Sequence, residues 1–520
     1  MDCTGPPGSM PGGPVRMSKG AAIPHQRYGR FFSWKMIEYA RFGIFYQQQS
    51  KERTKAMTVP YWVQDAVFYQ IFPDRFANGD PQNDPPNVKP WGTEPTIWNF
   101  QGGDLRGVIK NFDYLLDLGV NALYFNPIFQ ATSNHRYNIS DYYQIDPKLG
   151  DMHDFRALLE VAHQNEVRVI LDGVFNHCGR GFFAFNDVLE NHSHSPYIDW
   201  FHLNNVPPDA YSPGDADDYE AWWKFKSLPK FNTDNPRVRE YIFDVAEFWI
   251  KEGADGWRLD VPNEINDDSF WAEFRERVKA VNRDAYLVGE IWDGDPRWVG
   301  EGHFDGLMNY PLRSAVLDLL RDRIQVEAFG KMVGEILARY PRENTYAMYL
   351  PLGSHDTRRL STKLSGDLAK VKLAFTLQFA FPGAPAVYYG DEIGLKGGKD
   401  PDCRRAFPWN REAWDQDLRS LIRTLIHLRK RHVELRRGDY QEIFVEPQRG
   451  GFAFARVLGD QALLVAINAS DLKKNYRIPV DDLGWQDGRI LHDLLSTKES
   501  IVSGDNLVLT LDPWEGVWMS

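Results

Sequence analysis

The sequence predicts an α/β protein: a (β/α)8 TIM barrel with a domain inserted after its third strand and an antiparallel β-sandwich at its C-terminus. From Tyr61 to about Phe407, short apolar or aromatic runs alternate with amphipathic segments of helical period. The connection after the third run is far longer than the others, and after about Arg436 short strands with turn signals replace the helices. A chain of 520 residues has room for a large domain and a smaller one.

Eight apolar runs are the predicted barrel strands. They span residues 66–72, 121–125, 167–174, 256–261, 285–290, 306–310, 347–354 and 384–390. The segments FDYLLDLG, MHDFRALLEVAHQN, VREYIFDVAEFWIKEG and FWAEFRERVKAV lie between them and repeat apolar residues at spacings of three and four, which indicates helices. This alternation predicts a parallel barrel whose active site lies at the C-terminal ends of the strands.

The remaining divisions follow from composition. Residues 1–56 begin with a Gly/Pro-rich stretch and lack a clean period, so we expect a leader or disordered extension there. The barrel then occupies 57–435, and its segment 176–232, rich in His, Asp, Pro and aromatics, is the predicted inserted domain. Residues 436–520 form the predicted sandwich.

Charge and composition exclude several classes of partner. The net charge is −12 and no basic stripe appears, which argues against nucleic acid. No run approaches the roughly 18 apolar residues of a membrane span. The three cysteines, Cys3, Cys178 and Cys403, form no disulfide framework, and no signal peptide is evident, so we expect a reducing compartment, the cytoplasm.

Acidic residues stand at the ends of four predicted strands: Asp172, Asp260, Glu290 and Asp356. Hydrolysis of a glycosidic bond with retention needs one carboxylate that attacks the sugar and a second carboxyl that protonates the leaving oxygen, about 5 Å apart. A lone Asp at a strand end is more often a cap or turn residue. Four such residues at one end of a barrel favour a catalytic role.

Four motifs resemble the conserved regions of the α-amylase family of glycoside hydrolases, in the same order. They are DGVFNH (172–177), GWRLDVPNE (256–264), VGEIWD (288–293) and GSHDT (353–357). The resemblance runs from about Trp62 to the C-terminus. It implies a retaining α-glucan hydrolase.

The resemblance also implies the role of each carboxylate. Asp260 would be the nucleophile, Glu290 the acid/base, and Asp356 the residue that binds hydroxyls of the −1 sugar and favours its distortion. Arg258, two residues before the nucleophile and on the same strand face, would keep Asp260 ionised. Asp172 belongs to the substrate-binding set.

Other substrate-binding residues are implied in the same way. His177 and His355 look like the family's two histidines that bind the −1 glucose, although either alone could be a core histidine. Tyr137 resembles the aromatic platform under that sugar, with His135 beside it. Asn138 departs from the pattern, since many relatives carry Asp there.

The segment LPKFN (228–232) is similar to the MPKLN signature of the cyclomaltodextrinase, neopullulanase and maltogenic amylase branch. Trp292 matches an acceptor-side aromatic of that branch, and Asp400 and Arg404 match donor-side contacts; a solvated loop with an incidental ion pair is the alternative for the last two. The branch implies a preference for cyclodextrins, maltooligosaccharides and pullulan over starch, through cleavage of α-1,4 bonds, and leaves cleavage of α-1,6 bonds open. The inserted domain could narrow the cleft with aromatic residues that could equally form its own core: Phe182, Phe183, Phe185, Trp222 and Trp223.

Members of this branch usually carry a β-domain before the barrel, whereas only the 56-residue leader stands there in this sequence. That domain contributes to dimerisation and to the narrow active site. The oligomeric state is therefore left open.

The branch also binds calcium near the start of the barrel, and RFANGDPQNDP (75–85) with GGD (102–104) matches that loop. Oxygen-bearing groups at short intervals suit a hard cation that takes six to eight oxygens. Ordinary turn chemistry is the alternative. The expected ligands are Asn78, Asp80, Asn83, Asp84, Gly102 and Asp104.

Two other functions compete with α-glucan hydrolysis. A transglycosylase or isomerase could use the same scaffold, because a sugar instead of water can intercept the glycosyl-enzyme. A non-catalytic subunit is disfavoured, since such proteins usually lack at least one of the three carboxylates and all three are present. No organic cofactor is expected.

Overall fold

The computed structural model describes residues 59–520, so the predicted extension 1–56 and Cys3 lie outside the described residues. All eight predicted barrel strands form, each shorter than its apolar run. They are Phe68–Ile71 (β1), Ala122–Phe125 (β2), Arg168–Gly173 (β5), Gly256–Leu259 (β6), Tyr286–Gly289 (β7), Gly306–Leu307 (β8), Tyr349–Pro351 (β9) and Ala384–Tyr388 (β10), and an antiparallel hairpin of Phe129–Ala131 (β3) and Ile139–Ile145 (β4) follows β2.

The eight strands are parallel neighbours in the order β8-β7-β6-β5-β2-β1-β10-β9. A parallel bridge between Met308 and Tyr349 joins the two ends of this sheet, and the Asn309 amide donates to the Tyr349 carbonyl at 2.8 Å. The sheet is therefore closed, and the predicted TIM barrel is confirmed. Its interior is filled by large side chains from alternate strand positions, among them Phe68, Tyr124 and Tyr286.

The four helices predicted from periodicity are all present within two residues of their predicted bounds. Their starts are fixed by local chemistry: Asp151 forms a capping box with Asp154, and Asn235 caps a helix whose first residue is Pro236. The helices are Pro73–Phe76 (α1), Leu105–Lys110 (α2), Phe112–Leu118 (α3), Met152–Gln164 (α4), Phe183–Asn191 (α5), Pro236–Lys251 (α6), Asp268–Val281 (α7), Tyr310–Leu320 (α8), Val326–Ala338 (α9), Arg342–Thr345 (α10), Leu360–Lys363 (α11), Leu368–Ala380 (α12), Gln416–Arg431 (α13) and Val433–Arg437 (α14).

The long connection between β5 and α6 contains α5 and little regular strand. Bridges pair His177 with Lys230 and Phe201 with Phe231, so the segment returns to the point where it leaves the barrel. Phe182 and Phe185 are buried, whereas Phe183 and Trp223 are exposed. The first two therefore form the core of this segment and do not wall the cleft.

Two four-stranded antiparallel sheets follow the barrel, as the sequence predicts. Their order is β11-β12-β13-β18 and β14-β17-β16-β15. The strands are Asp439–Glu446 (β11), Gly451–Leu458 (β12), Gln461–Asn468 (β13), Lys474–Pro479 (β14), Ile490–His492 (β15), Glu499–Ser503 (β16), Asn506–Leu511 (β17) and Gly516–Met519 (β18). Among residues 59–520, no helix is both long and apolar enough to cross a bilayer.

Candidate active site

Arg258 is the centre of a carboxylate cluster at the C-terminal ends of the barrel strands. Its Nη1 donates to Asp172 Oδ1 and to Asp260 Oδ1, each at 2.8 Å. Its Nη2 lies 2.9 Å from Glu290 Oε2, outside hydrogen-bond alignment. One buried guanidinium thus positions the predicted nucleophile and the predicted acid/base side by side.

Asp172 is a positioning residue in this cluster. Its carboxylate is completely buried and accepts hydrogen bonds from Tyr124 at 2.6 Å and Tyr137 at 2.8 Å as well as from Arg258. Asp172 and Arg258 are direct partners in the register of β5 and β6. Asp172 thus holds Arg258 and Tyr137 in place, and its predicted role in substrate binding stays a prediction.

Glu290 has the surroundings of a proton donor. The Val261 amide lies 3.2 Å from its Oε2, and the Trp292 indole nitrogen lies 3.3 Å from its Oε1. Burial raises the pKa of Glu290, Arg258 opposes the rise, and the neighbouring carboxylate of Asp260 adds to it. A raised pKa keeps a glutamic acid protonated near neutral pH, as a general acid requires.

Burial also raises the pKa of Asp260, and Arg258 opposes this rise as well. The difference between the two carboxyls lies in geometry, because Asp260 receives an aligned hydrogen bond from Arg258 and Glu290 does not. Hydrogen bonding to the charged form favours ionisation. The guanidinium hydrogen bond thus favours the ionised form of Asp260, whereas the donors to Glu290 are the uncharged Val261 amide and Trp292 indole, which fits the predicted roles of the two carboxyls.

Asp356 lies across the site from Arg258, and its side chain is 31% exposed. His355 Nε2 approaches Asp356 Oδ2 at 3.1 Å, and Arg404 Nη2 approaches Oδ1 at 3.5 Å. Arg404 is buried and also pairs with Asp400 at 3.0 Å. Arg404 thus connects Asp400, whose side chain is 43% exposed, with Asp356, and the donor-side role of Asp400 and Arg404 stays a prediction.

The predicted histidines and Tyr137 surround the space between these carboxylates. Tyr137 stacks on His355 with ring centroids 5.4 Å apart and on His135 at 6.0 Å. His355 Nδ1 contacts Gln70 at 3.0 Å, which fixes the imidazole. His177 stacks on Trp222 at 5.6 Å, and its Nε2 is buried without a protein partner.

These histidines are neutral. Burial lowers the pKa of His177 to about 3, and burial together with the charge of Arg404 lowers that of His135 to about 3. Burial also depresses the pKa of His355. Neutral imidazoles can exchange hydrogen bonds with sugar hydroxyls without competing for the proton of Glu290.

Trp292 stands on the other side of Glu290, half exposed. It stacks on Tyr310 with centroids 3.8 Å apart and an interplanar angle of 5°. Asn138, the departure from the family pattern, bonds Thr132 at 2.7 Å and also contacts Ser133, within its own turn. The substitution therefore leaves the described carboxylates untouched.

The sequence does not reveal the residues that hold the predicted site residues in place. They are Gln70, Tyr124, Asn126, Tyr310 and Trp222, which stacks on His177. Gln70, Tyr124 and Asn126 lie in the last half of β1 and β2 or just beyond, and Tyr310 follows β8. Polar residues at barrel strand ends were thus the available signal.

The predicted metal residues also come together, in the loop between α1 and α2. Asn78 Nδ2 lies 2.9 Å from Asp84 Oδ1, and a Cβ on Gly102 would lie only 2.1 Å from that oxygen. Gly102 has φ +81°, so glycine is required there for both reasons. The Asn83 Oδ1 oxygen is buried and has no partner.

Asp104 has a second role that the sequence did not reveal. It caps α2, and its carboxylate accepts from the amides of Gly107 at 2.6 Å and Asp80 at 2.8 Å. Burial raises the pKa of Asp84 and of Asp104. The half-buried carboxylate of Asp84 and the unpartnered Asn83 oxygen fit a divalent cation, whereas backbone amides already occupy the carboxylate of Asp104.

A closed eightfold barrel with paired carboxylates on a shared guanidinium defines the class of glycoside hydrolases that use two carboxyl groups. Residues 70–434 match the family described as alpha amylase, catalytic domain, and residues 440–518 match the neopullulanase-like C-terminal domain. The chain belongs to the α-amylase family of glycoside hydrolases.

Curated relatives and solved structures agree with this assignment. The chain is 46% identical over 412 residues to a cyclomaltodextrinase of Bacillus sp, which covers 79% of this chain and 73% of the relative. It is 41% identical to neopullulanase 2 of Thermoactinomyces vulgaris over 92% of this chain and 81% of that one. The structure of cyclic alpha-maltosyl-(1-->6)-maltose hydrolase from Arthrobacter globiformis superimposes with a TM-score of 0.81 at 38% identity, covering 89% of this chain and 100% of that one.

Proposed function

We propose that this enzyme cleaves α-1,4-glucosidic bonds by a retaining double displacement, with cyclodextrins and short maltooligosaccharides as preferred substrates, pullulan as a further substrate and starch as a slower one. The observation that carries the proposal is the pair of Asp260 and Glu290 on the single guanidinium of Arg258. Two carboxyl groups held on one guanidinium suit a nucleophile that attacks the sugar directly, for which a separation of about 5–5.5 Å is typical.

In the first half-reaction, Asp260 attacks the anomeric carbon while Glu290 protonates the departing glycosidic oxygen. Asp356 and His355 bind hydroxyls of the −1 sugar, and Tyr137 packs against its face. In the second half-reaction, Glu290, now ionised, takes a proton from water, and the water displaces Asp260. The product then keeps the α configuration.

The substrate preference is supported by the inserted domain and by what the relatives are named for. Trp222 covers His177, and Trp223 stacks on Trp222 with centroids 4.7 Å apart, so a wall of two indoles borders the site. The relatives named above are a cyclomaltodextrinase, a neopullulanase and a hydrolase of a cyclic α-1,6-containing oligosaccharide. Their names also support α-1,6 cleavage as a second activity.

Measurement of kcat/KM on β-cyclodextrin, maltotriose, pullulan and soluble starch, with products identified, tests the preference. We expect β-cyclodextrin to exceed soluble starch. If starch is cleaved several times more efficiently, the preference is wrong although the mechanism stands. Absence of α-glucan cleavage altogether would refute both.

Transglycosylation, in which the glycosyl group is transferred to a sugar instead of water, is a further activity that one observation favours. Trp292 presents a half-exposed indole, backed by Tyr310, directly beside the acid/base. A sugar stacked there can intercept the glycosyl-enzyme before water does. Product analysis at high maltotriose concentration detects this as oligosaccharides longer than the substrate.

The loop of Asn78, Asp80, Asn83, Asp84, Gly102 and Asp104 would hold a calcium ion. The unpartnered Asn83 oxygen and the carboxylate of Asp84 supply the donor set, with Asp104 divided between the helix cap and the ion. The bound ion would cross-link the loop and so stabilise the native state. We place the enzyme in the cytoplasm, because Cys178 and Cys403 are buried and unpaired.

A further inference from the structure

Exposed aromatic side chains of the described residues are confined to one face of the molecule. All of them belong to connections that follow barrel strands, with Phe183 at the start of α5, whereas the exposed large apolar residues of the C-terminal sheets are aliphatic. The exposed aromatics are Trp98 after β1, Phe183, Tyr211, Trp223 and Phe225 after β5, and Trp292 after β7. Loops at this end of a barrel form the substrate-binding surface.

Trp98 is the most exposed of these residues, at 78%, and it stands on a rigid turn. Thr96 Oγ1 accepts from the amides of Trp98 at 3.2 Å and Asn99 at 3.0 Å, and Asn99 Oδ1 accepts from the Thr96 amide at 2.9 Å. The turn also exposes Ile97. An ordered backbone therefore presents two adjacent apolar side chains to solvent.

Buried polar residues fix this turn to the active-site rim. Arg75 Nη2 donates to the Asn99 carbonyl at 2.7 Å. Asn134 Nδ2 donates to the same carbonyl at 2.8 Å and to that of Thr96 at 2.9 Å. Asn134 is buried and directly precedes His135, so the turn and the His135–Tyr137 platform are tied together.

This turn lies on the side of the site that holds Arg404. His135 stacks on Tyr137, Tyr137 stacks on His355, and the His355 carbonyl accepts a hydrogen bond from Arg404 Nε at 3.0 Å. Arg404 in turn pairs with Asp356 and Asp400. The family resemblance assigns Asp400 and Arg404 to donor-side sugars. Trp292 and the Trp222–Trp223 wall belong to other loops, after β7 and β5.

We propose that Trp98, with Ile97 beside it, forms a stacking platform for glucose units of the donor segment beyond the −1 sugar. The ligand class is an α-1,4-linked maltooligosaccharide, whose ring faces are apolar and whose edges are polar. The flat indole supplies contact area at little conformational-entropy cost, because its backbone is already ordered. This inference rests on the proposed function and adds a determinant of chain length to it.

The test is the bond-cleavage pattern of maltohexaose labelled at its reducing end. Each cleavage divides the bound chain into a donor segment and an acceptor segment, and we compare cleavages with long donor segments with those that have short ones. Trp98→Ala should lower this ratio of long to short donor segments by roughly three- to tenfold, the range expected for an aromatic contact. Trp98→Phe should retain most of the wild-type ratio. An unchanged ratio in Trp98→Ala overturns the proposal.

Two control variants distinguish a loss of stacking from a general loss of activity or stability. Val508→Ala removes an exposed apolar side chain of the C-terminal sheets and should leave the cleavage pattern and the rate unchanged. Ile490→Ala removes a second exposed apolar side chain from these sheets and should likewise leave the donor-length ratio unchanged. Melting curves verify that each variant is folded, and Trp98→Gln replaces Trp98→Ala if the latter is unfolded.

The outcomes also distinguish a failure of this inference from a failure of the proposed function on which it rests. If the wild-type enzyme cleaves no α-glucan, the proposed function fails. If it cleaves maltohexaose and Trp98→Ala retains the wild-type ratio, only the donor platform fails.

Discussion

The floor and the rim of the active site differ in burial and in polarity. In the floor, Arg258 and Asp172 are buried, and the hydroxyls of Tyr124 and Tyr137 converge on one carboxylate. On the rim, Trp98, Trp223 and Trp292 expose half or more of their surface. A buried polar network holds charges in fixed positions, whereas an exposed aromatic surface accepts sugar rings in several registers. Floor variants should therefore change the chemistry, and rim variants the choice of substrate.

The largest effect should come from the two catalytic carboxylates. Asp260→Asn and Glu290→Gln should each lower kcat by roughly 10⁴- to 10⁶-fold, as expected when members of a catalytic unit are removed. Both changes preserve shape, and Arg258 keeps its hydrogen bond to Asp172 in each variant, so the melting temperature should stay close to that of the wild type. Steady-state kinetics and thermal melting measure the two quantities.

Chemical rescue and stereochemistry sharpen this prediction. Azide should restore part of the activity of Asp260→Gly by attacking in place of the missing carboxylate. NMR of the wild-type reaction should show the α-anomer first. Near-normal turnover in either isosteric variant, or a β-anomer as initial product, would contradict the assignment of the carboxylates.

Neutralising Asp172 should move the whole pH–rate profile. Its negative charge raises the pKa of both Asp260 and Glu290. The acid limb reports ionisation of the nucleophile and the alkaline limb reports loss of the donor proton. Asp172→Asn should therefore shift both limbs of kcat/KM to lower pH, in addition to lowering its maximum.

Asp305→Asn is the matched control, because Asp305 is also completely buried and paired with Arg275 and Lys279, but precedes β8 at the opposite end of the barrel. It should cost stability, about 3–5 kcal/mol for a broken buried ion pair, and leave the profile in place. Equal pH shifts in the two variants would show that the effect is not specific to the catalytic floor.

Calcium removal should affect the molecule away from the floor. If the loop around Asp84 binds the ion, exhaustive chelation should lower the melting temperature by several degrees, since saturation at about 100 times Kd stabilises by about 2.7 kcal/mol. Activity at moderate temperature should fall less. Asp84→Asn should melt near the chelated wild type and respond little to added calcium. An unchanged melting curve together with no metal by elemental analysis would refute the site.

The floor shows how far sequence reasoning reached. The sequence alone predicts that Arg258 lies beside Asp260, because residues two apart in a strand share a face. The bond from Asp172 to Arg258 depends on the register of β5 against β6, and the motifs do not encode that register. Within FFAF (182–185), helical spacing alone does not say which aromatic side chain faces solvent. Packing against Phe231 buries Phe182 and packing against Phe201 buries Phe185, whereas Phe183 stays exposed.

The smallest effect should come from the acceptor side of the rim. Trp292→Ala removes an indole that stacks on Tyr310 at 3.8 Å, whereas Trp292→Phe keeps an aromatic ring at that place. Because a sugar acceptor needs this surface and water does not, Trp292→Ala should lower the ratio of transfer to hydrolysis at high maltotriose by roughly three- to tenfold, with a smaller loss of total turnover. The indole nitrogen also contacts Glu290 at 3.3 Å, so a change in the alkaline limb of the pH profile must be measured alongside. The contradicting outcome has two parts: Trp292→Phe lowers the ratio of transfer to hydrolysis as far as Trp292→Ala does, and the alkaline limb moves equally in both variants. The indole would then act through the proton donor Glu290 and not as a platform for the sugar acceptor.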